Sequence, residues 1–146
     1  MLGKMLLISI KPKYAELIFD GKKTVELRRV CPKVNKGDLV LIYISSPTKA
    51  ICGGFNVDSI IKESPKKLWD LVGSYSGINK NDFDKYFINV DIGYGITFSE
   101  VWSLEKPIKL EKIKSEWPEF HPPQSYRYLE SGGLYTDVLC KMSLNI

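Results

Sequence analysis

The stretch that decides the reading of this chain is Gly21-Lys22-Lys23-Thr24-Val25-Glu26-Leu27-Arg28. Thr24 to Val30 alternates, with Val25 and Leu27 pointing one way and Thr24, Glu26 and Arg28 the other, which is the period of a half-buried strand. Glu26 and Arg28, two residues apart, project from one face about 6–7 Å apart, and Lys23 leaves the preceding turn above the same face. Together they offer guanidinium and ammonium donors and one carboxylate that can accept from an amine or move a proton. The plainer alternative is an exposed strand carrying a surface ion pair of almost no energetic value. Spacing alone leaves both open.

Working outward, Leu6-Leu-Ile-Ser-Ile10 is a short apolar run suited to a buried strand. Lys11-Pro12 opens a helix, since proline is tolerated in the first turn. Tyr14, Leu17 and Ile18 form its apolar face, Lys13, Glu16 and Asp20 face away, and Gly21 ends it in a left-handed conformation. Asn35–Asp38 reads as a turn. Leu39–Ile44 is apolar on both faces, as a barrel-wall strand under helices would be, and Ser45-Ser46-Pro47-Thr48 ends it. Lys49–Ile61 reads as a strand with a bulge at Gly53-Gly54. Ser64-Pro65 caps a helix bearing Leu68, Trp69, Leu71 and Val72, and Asn79–Phe87 forms a second short helix. Ile92–Phe98 resumes as strand, 105–125 reads as an irregular excursion, and Leu134–Leu144 as a closing strand. With no repeats and no linker composition, residues 1–146 read as one mixed α and β domain.

Composition is that of an ordinary globular chain, 44% hydrophobic and 26% charged. No apolar run approaches the roughly 20 residues of a membrane span, and the N-terminal Met1–Ile10 runs into a patterned segment without a cleavage signal. Cys31, Cys52 and Cys140 are widely spaced and odd in number. They read as packed free thiols of a reducing compartment, which places the protein in the cytoplasm, and not as a disulfide frame or zinc site. Residues 1–49 carry ten Lys/Arg against four Asp/Glu, leaving −2 of the net +4 for the rest. A basic N-terminal third suits anionic partners such as nucleic acid, although a solvated lysine-rich surface has the same composition.

The segment matches the Gly-x-Lys-x-x-Glu-x-Arg signature of the ASCH domain family, relatives of the PUA-like RNA-binding barrels, on Gly21, Lys23, Glu26 and Arg28. The preceding Ile8–Ile18 resembles the strand and helix that lead into the motif in that family. The similarity is clearest over residues 5–60, and Pro122-Pro-Gln-Ser-Tyr126 resembles a bacterial and phage subgroup. The resemblance implies an α+β fold, a mixed β-barrel with flanking helices, and a cleft between barrel and helix lined by the motif. It implies RNA, single-stranded nucleic acid or a nucleoside-like molecule as partner. One compact branch resembles amidohydrolases of N4-acetylcytidine that use lysine, threonine and glutamate. Here Lys23 matches the lysine, but Glu26 stands where that branch has its threonine nucleophile, and Thr24 alternates away from that place.

The expected site is therefore Lys11, Gly21, Lys23, Glu26, Arg28 and Arg29, with Ser45 and Ser46 at a strand end and the run Gln124-Ser125-Tyr126-Arg127 as a second wall. Proline stiffening before that run lowers its ordering cost, and Tyr126 is the stacking candidate. An ordinary turn in which Tyr126 and Leu129 pack inward fits the same residues. If the chain is an enzyme, Lys23 would be the base and Glu26 the proton carrier of a hydrolase acting on a nucleoside amide or on RNA. A small-ligand-sensing regulatory domain is a third reading. No cofactor and no metal are expected. The sole histidine, His121, lies before two prolines without evident partners, Gly93-Tyr94-Gly95 is too short for a phosphate loop, and Trp69 reads as core.

Overall fold

The computed structural model describes residues 5–129; the strand expected at Leu134–Leu144, and Cys140, lie outside them. The elements are β1 (Met5–Ile10), α1 (Pro12–Phe19), β2 (Val25–Arg28), β3 (Leu39–Ile44), β4 (Ala50–Glu63) and α2 (Pro65–Val72). A 3-10 turn (Gly73–Tyr75), α3 (Lys80–Tyr86), β5 (Gly93–Lys109), α4 (Leu110–Glu116) and β6 (Tyr126–Leu129) follow. Six strands form one sheet in the order β2-β5-β4-β3-β1-β6. Among the described residues only β1 and β3 pair in parallel, and α1 and β2 lie in the crossover between them. The architecture is mixed α+β: a sheet curled into a half-barrel with helices on its flanks.

The apolar runs explain the two covered faces. Leu6, Ile8, Val40, Ile42, Phe55 and Ile96 fill one face together with Ala15 and Ile18 of α1. Met5, Leu7, Leu41, Tyr43 and Ile51 fill the other with Leu104, Ile108, Ile113 of α4 and Phe120. β1 and β3 are thus covered on both sides, as their unbroken hydrophobicity requires. A third cluster joins Val25 and Leu27 of β2 to Leu68, Val72, Phe83 and Phe87 of the α2–α3 region. Trp69 packs there too, edge-on to Phe83. The outermost strands meet through side chains and loops: Arg28 Nη1 donates to Ser125 Oγ at 2.7 Å, and the Lys33 amide donates to the Tyr128 hydroxyl.

Several boundaries differ from the sequence reading. The strand expected from Thr24 to Val30 is only Val25–Arg28: the Thr24 amide turns to the Tyr75 carbonyl, and pairing with β5 ends at Arg28–Tyr94. Residues 105–109 continue β5, and 110–116 are α4, so the irregular excursion is confined to 117–125. Pro107 misled the sequence reading. It is tolerated because β4 pairs with Ser103 and then with Ile108, leaving the stretch around Pro107 outside that ladder. The bulge does fall near Gly53: the register slips between Ile51 and Gly53. Among the described residues no helix is long and apolar enough to cross a membrane.

Candidate functional site

Helix α1 delivers the motif through its C-terminal cap. Gly21 adopts φ +78°, the Lys22 amide reaches back to the Leu17 carbonyl and the Gly21 amide to Ile18. That 6→1 and 5→2 pair is a Schellman motif. The Lys23 amide also bonds to Leu17, so the chain leaves the helix with Lys23 turned inward and enters β2 directly.

Lys23 is 3% exposed and Glu26 9%, which disposes of the plain surface-ion-pair alternative. Lys23 Nζ donates to the Ser76 carbonyl at 2.6 Å and faces Glu26 Oε1 at 3.4 Å. The other carboxylate oxygen, Oε2, lies 2.8 Å from Arg28 Nη2. Each carboxylate oxygen thus faces one cation, and the trio keeps a net charge of +1. Burial lowers the Lys23 pKa from its usual lysine value; Glu26 opposes this through its charge and hydrogen bond, and Arg28 reinforces it. Arg28 Nε is buried and finds no acceptor among the described residues.

The 3-10 turn after α2 is the other half of this arrangement. Ser76, fully buried, donates its hydroxyl to the Gly73 carbonyl while its own carbonyl receives Lys23. Gly77 follows at φ +75°, where a Cβ would stand 3.3 Å from both Cβ and Cδ of Lys23. The glycine lets the backbone lie along the lysine stem.

Above the trio opens a cleft of about 530 Å³ between the sheet, α1 and α3. Lys11, Lys23, Glu26, Arg28 and Arg29 line it with Tyr14, Asp82, Lys85 and Tyr86. The Arg29 guanidinium lies 4.9 Å over the Tyr86 ring, and the Tyr86 hydroxyl donates to the Leu27 carbonyl, fastening α3 to the motif strand. A second hollow of about 470 Å³ shares Ser9, Ile10 and Lys11 with the cleft. Tyr43, Ser45, Ser46, Lys49, Pro122, Pro123 and Gln124 line it. Ser125 stands by the cleft through its bond from Arg28, and its carbonyl accepts the Ser9 amide.

Of the residues read from sequence, five meet in the cleft and Ser45, Ser46 and Gln124 lie next door. Gly21 is an exposed capping residue and lines neither space. Tyr126 packs against the interior cluster from β6, and Arg127 lies over the Phe120 ring; neither lines the cleft or the hollow. Sequence reasoning missed Tyr14, Tyr43, Lys49, Asp82, Lys85 and Tyr86. Tyr14 looked like an apolar-face residue, and the α3 residues come within reach only when the third cluster folds α3 onto β2. Half-buried Cys31 and Cys52 are free thiols whose pKa values burial pushes up. Among the described residues no three His, Cys, Asp or Glu side chains converge on a common point.

Comparison with known proteins bears on the family and the fold. A protein from Zymomonas mobilis named an ASCH domain-containing ribonuclease is 29% identical over 126 residues, spanning 86% of this chain and 84% of its own length. A Ureaplasma parvum protein named large ribosomal subunit protein uL22 matches at 29%, with only 39% of its length covered. The crystal structure of a variant of the Zymomonas mobilis ASCH protein superposes with a TM-score of 0.86 at 27% identity, covering 95% of this chain and 98% of that one. The family model of the ASCH domain matches residues 8–114, and the chain belongs to the ASCH domain family.

Proposed function

We propose that this chain binds RNA, with the cleft over Lys23, Glu26 and Arg28 as the primary contact. The observation that carries this reading is the buried trio with its surplus positive charge at the floor of an open cleft. A cationic centre with little water around it attracts an anion more strongly than the same charges would on the surface. Arg28 and the exposed Lys11 and Arg29 are suited to phosphate, Tyr14 and Tyr86 offer rings to a base, and Glu26 can accept from an exocyclic amine. Lys23 mainly serves to hold Glu26 in place. The test is titration of labelled single-stranded RNA at low and moderate salt. Binding should weaken steeply with salt as counterions are released, and Arg28→Ala with Arg29→Ala should reduce it strongly. Absence of binding at low salt, or indifference to both substitutions, overturns the reading.

A second reading, cleavage of the bound RNA, is favoured by the relative named a ribonuclease. The trio is poorly made for moving protons: Lys23 already donates to the Ser76 carbonyl, and both carboxylate oxygens of Glu26 already face cations. The side chains better suited to such chemistry are Tyr43, Ser45, Ser46 and Lys49 in the second hollow. Incubating wild type and Lys23→Met with end-labelled RNA checks this. Cleavage that survives Lys23→Met rules Lys23 out as the reacting base, and no cleavage by wild type removes the reading.

A further inference from the structure

Resting on the RNA-binding reading, we infer that the site continues beyond the cleft into a third hollow over α4, so that the ligand is a polynucleotide strand and not a single nucleoside. The second hollow ends at Lys49 and Leu110, and these two residues also line a third, of about 450 Å³, together with Lys109, Glu111 and Lys114. The Leu110 amide donates to the Lys49 carbonyl at 2.9 Å, which fixes α4 against the loop after β3. The three spaces therefore adjoin in series: the cleft borders the second hollow at Ser9–Lys11, and the second borders the third at Lys49–Leu110.

The chemistry along this path alternates as a strand of nucleotides requires. Cations stand at the junctions, Lys11 at the first and Lys49 at the second, and Lys109 and Lys114 stand at the far end. Between them the hollows carry rings, hydroxyls and an amide: Tyr14 and Tyr86, then Ser45 and Gln124, with the buried Tyr43 beneath. A backbone tracked by positive charge, with sugars and bases set against aromatic and hydrogen-bonding groups, is how single strands are held. Among the described residues Lys11, Lys49, Lys109 and Lys114 make no salt bridge, as is true also of Lys36, Lys66 and Lys85, so what marks the path is their placement along adjoining hollows. Glu111 alone opposes the three lysines of the third hollow.

The experiment compares labelled 2′-O-methyl oligouridines of about 4 and about 12 nucleotides, lengths at the short and long ends of single-strand site sizes, so that cleavage cannot confuse the titration. Lys109→Glu with Lys114→Glu should weaken the long strand about tenfold at low salt and leave the short one nearly unchanged. The salt dependence for the long strand should become shallower by about 1.4 in log–log slope, the share of two single-strand phosphate contacts. Lys36→Glu, at the opposite end of β3, reverses one lysine off the path, half of the four-unit change in net charge, and should have no such effect. Equal losses for both strands, no loss for the long one, or the same loss with Lys36→Glu overturns the inference. Wild type that binds neither strand overturns the RNA-binding reading itself. All three positions are exposed, and far-UV circular dichroism verifies that the variants fold.

Discussion

Lys23 lies buried beneath the cleft with Glu26 and Arg28, and its burial has a consequence in solution. Its folded-state pKa lies below the unfolded value, so the native protein sheds that proton first as pH rises. Below the folded pKa both states are protonated and the full cost of burying the charge is present. Between the folded pKa and 10.5 the unfolded chain still holds the proton, and native stability rises with pH. Raised pKa values elsewhere, such as that of Tyr43, act in the opposite sense, so the comparison must be a difference. The stability of wild type minus that of Lys23→Met, from urea denaturation at a series of pH values, should shift in favour of wild type between neutral pH and 10.5. A difference that stays flat over that range would show that Lys23 pays no desolvation cost in the fold. The motif itself was legible in the sequence because strand alternation fixes Glu26 and Arg28 on one face. The burial of the trio was not, because it depends on Ser76, Gly77 and α3, which are fifty and more residues away.

The turns on either side of Lys23 can be told apart by substituting their glycines. Both adopt left-handed backbone, Gly21 at φ +78° and Gly77 at φ +75°. A Cβ at Gly21 would meet nothing within 4 Å, whereas one at Gly77 would press on Leu17 Cδ1 at 3.1 Å and on the Lys23 stem. Gly21→Ala should therefore cost only the backbone term, about 1 kcal/mol, and leave RNA affinity intact. Gly77→Ala adds overpacking and should cost about 2 kcal/mol or more, and it should weaken RNA binding by displacing Lys23. Urea denaturation and anisotropy titration measure the two effects; equal behaviour of the two variants would mean that the turn does not position the lysine. The Gly21 cap was legible because a helix pattern ending in glycine has a local cause. The continuation of β5 through Glu105, Lys106 and Pro107 was not, since its pattern is masked by exposed charge: only Leu104 and Ile108 there are buried. Strand β6 was hidden for a related reason, being four residues long with only Leu129 of its side chains buried.

Three buried clusters share one sheet, and this bears on whether 1–146 is a single folding unit, as we propose. The α2–α3 cluster rests on β2 and the near half of β5, through Val25 and Leu27 packed on Leu68 and Phe83. The α4 cluster rests on the far half of β5 through Leu104 and Ile108. Strands β4 and β5 pair from Glu63–Gly93 to Ala50–Lys109 and so run beneath both. If either cluster came apart alone, the shared ladder would lose one covered face and leave buried backbone groups without protection, a cost that couples the clusters. The tryptophans are placed to test this. Trp69 reports the α2–α3 side, and Trp102 and Trp117 pack against the α4 cluster. A variant with Trp69→Phe keeps reporters only on the second side, and one with Trp102→Phe and Trp117→Phe keeps one only on the first. In each variant, tryptophan fluorescence and far-UV circular dichroism should give the same urea midpoint, because local and global loss of structure coincide in a two-state transition. A fluorescence midpoint below the circular dichroism midpoint in the Trp69-only variant would mean that the α2–α3 region opens on its own. The cleft would then gain and lose its α3 wall while the half-barrel remains folded, and Lys23 would lose the Ser76 carbonyl with it.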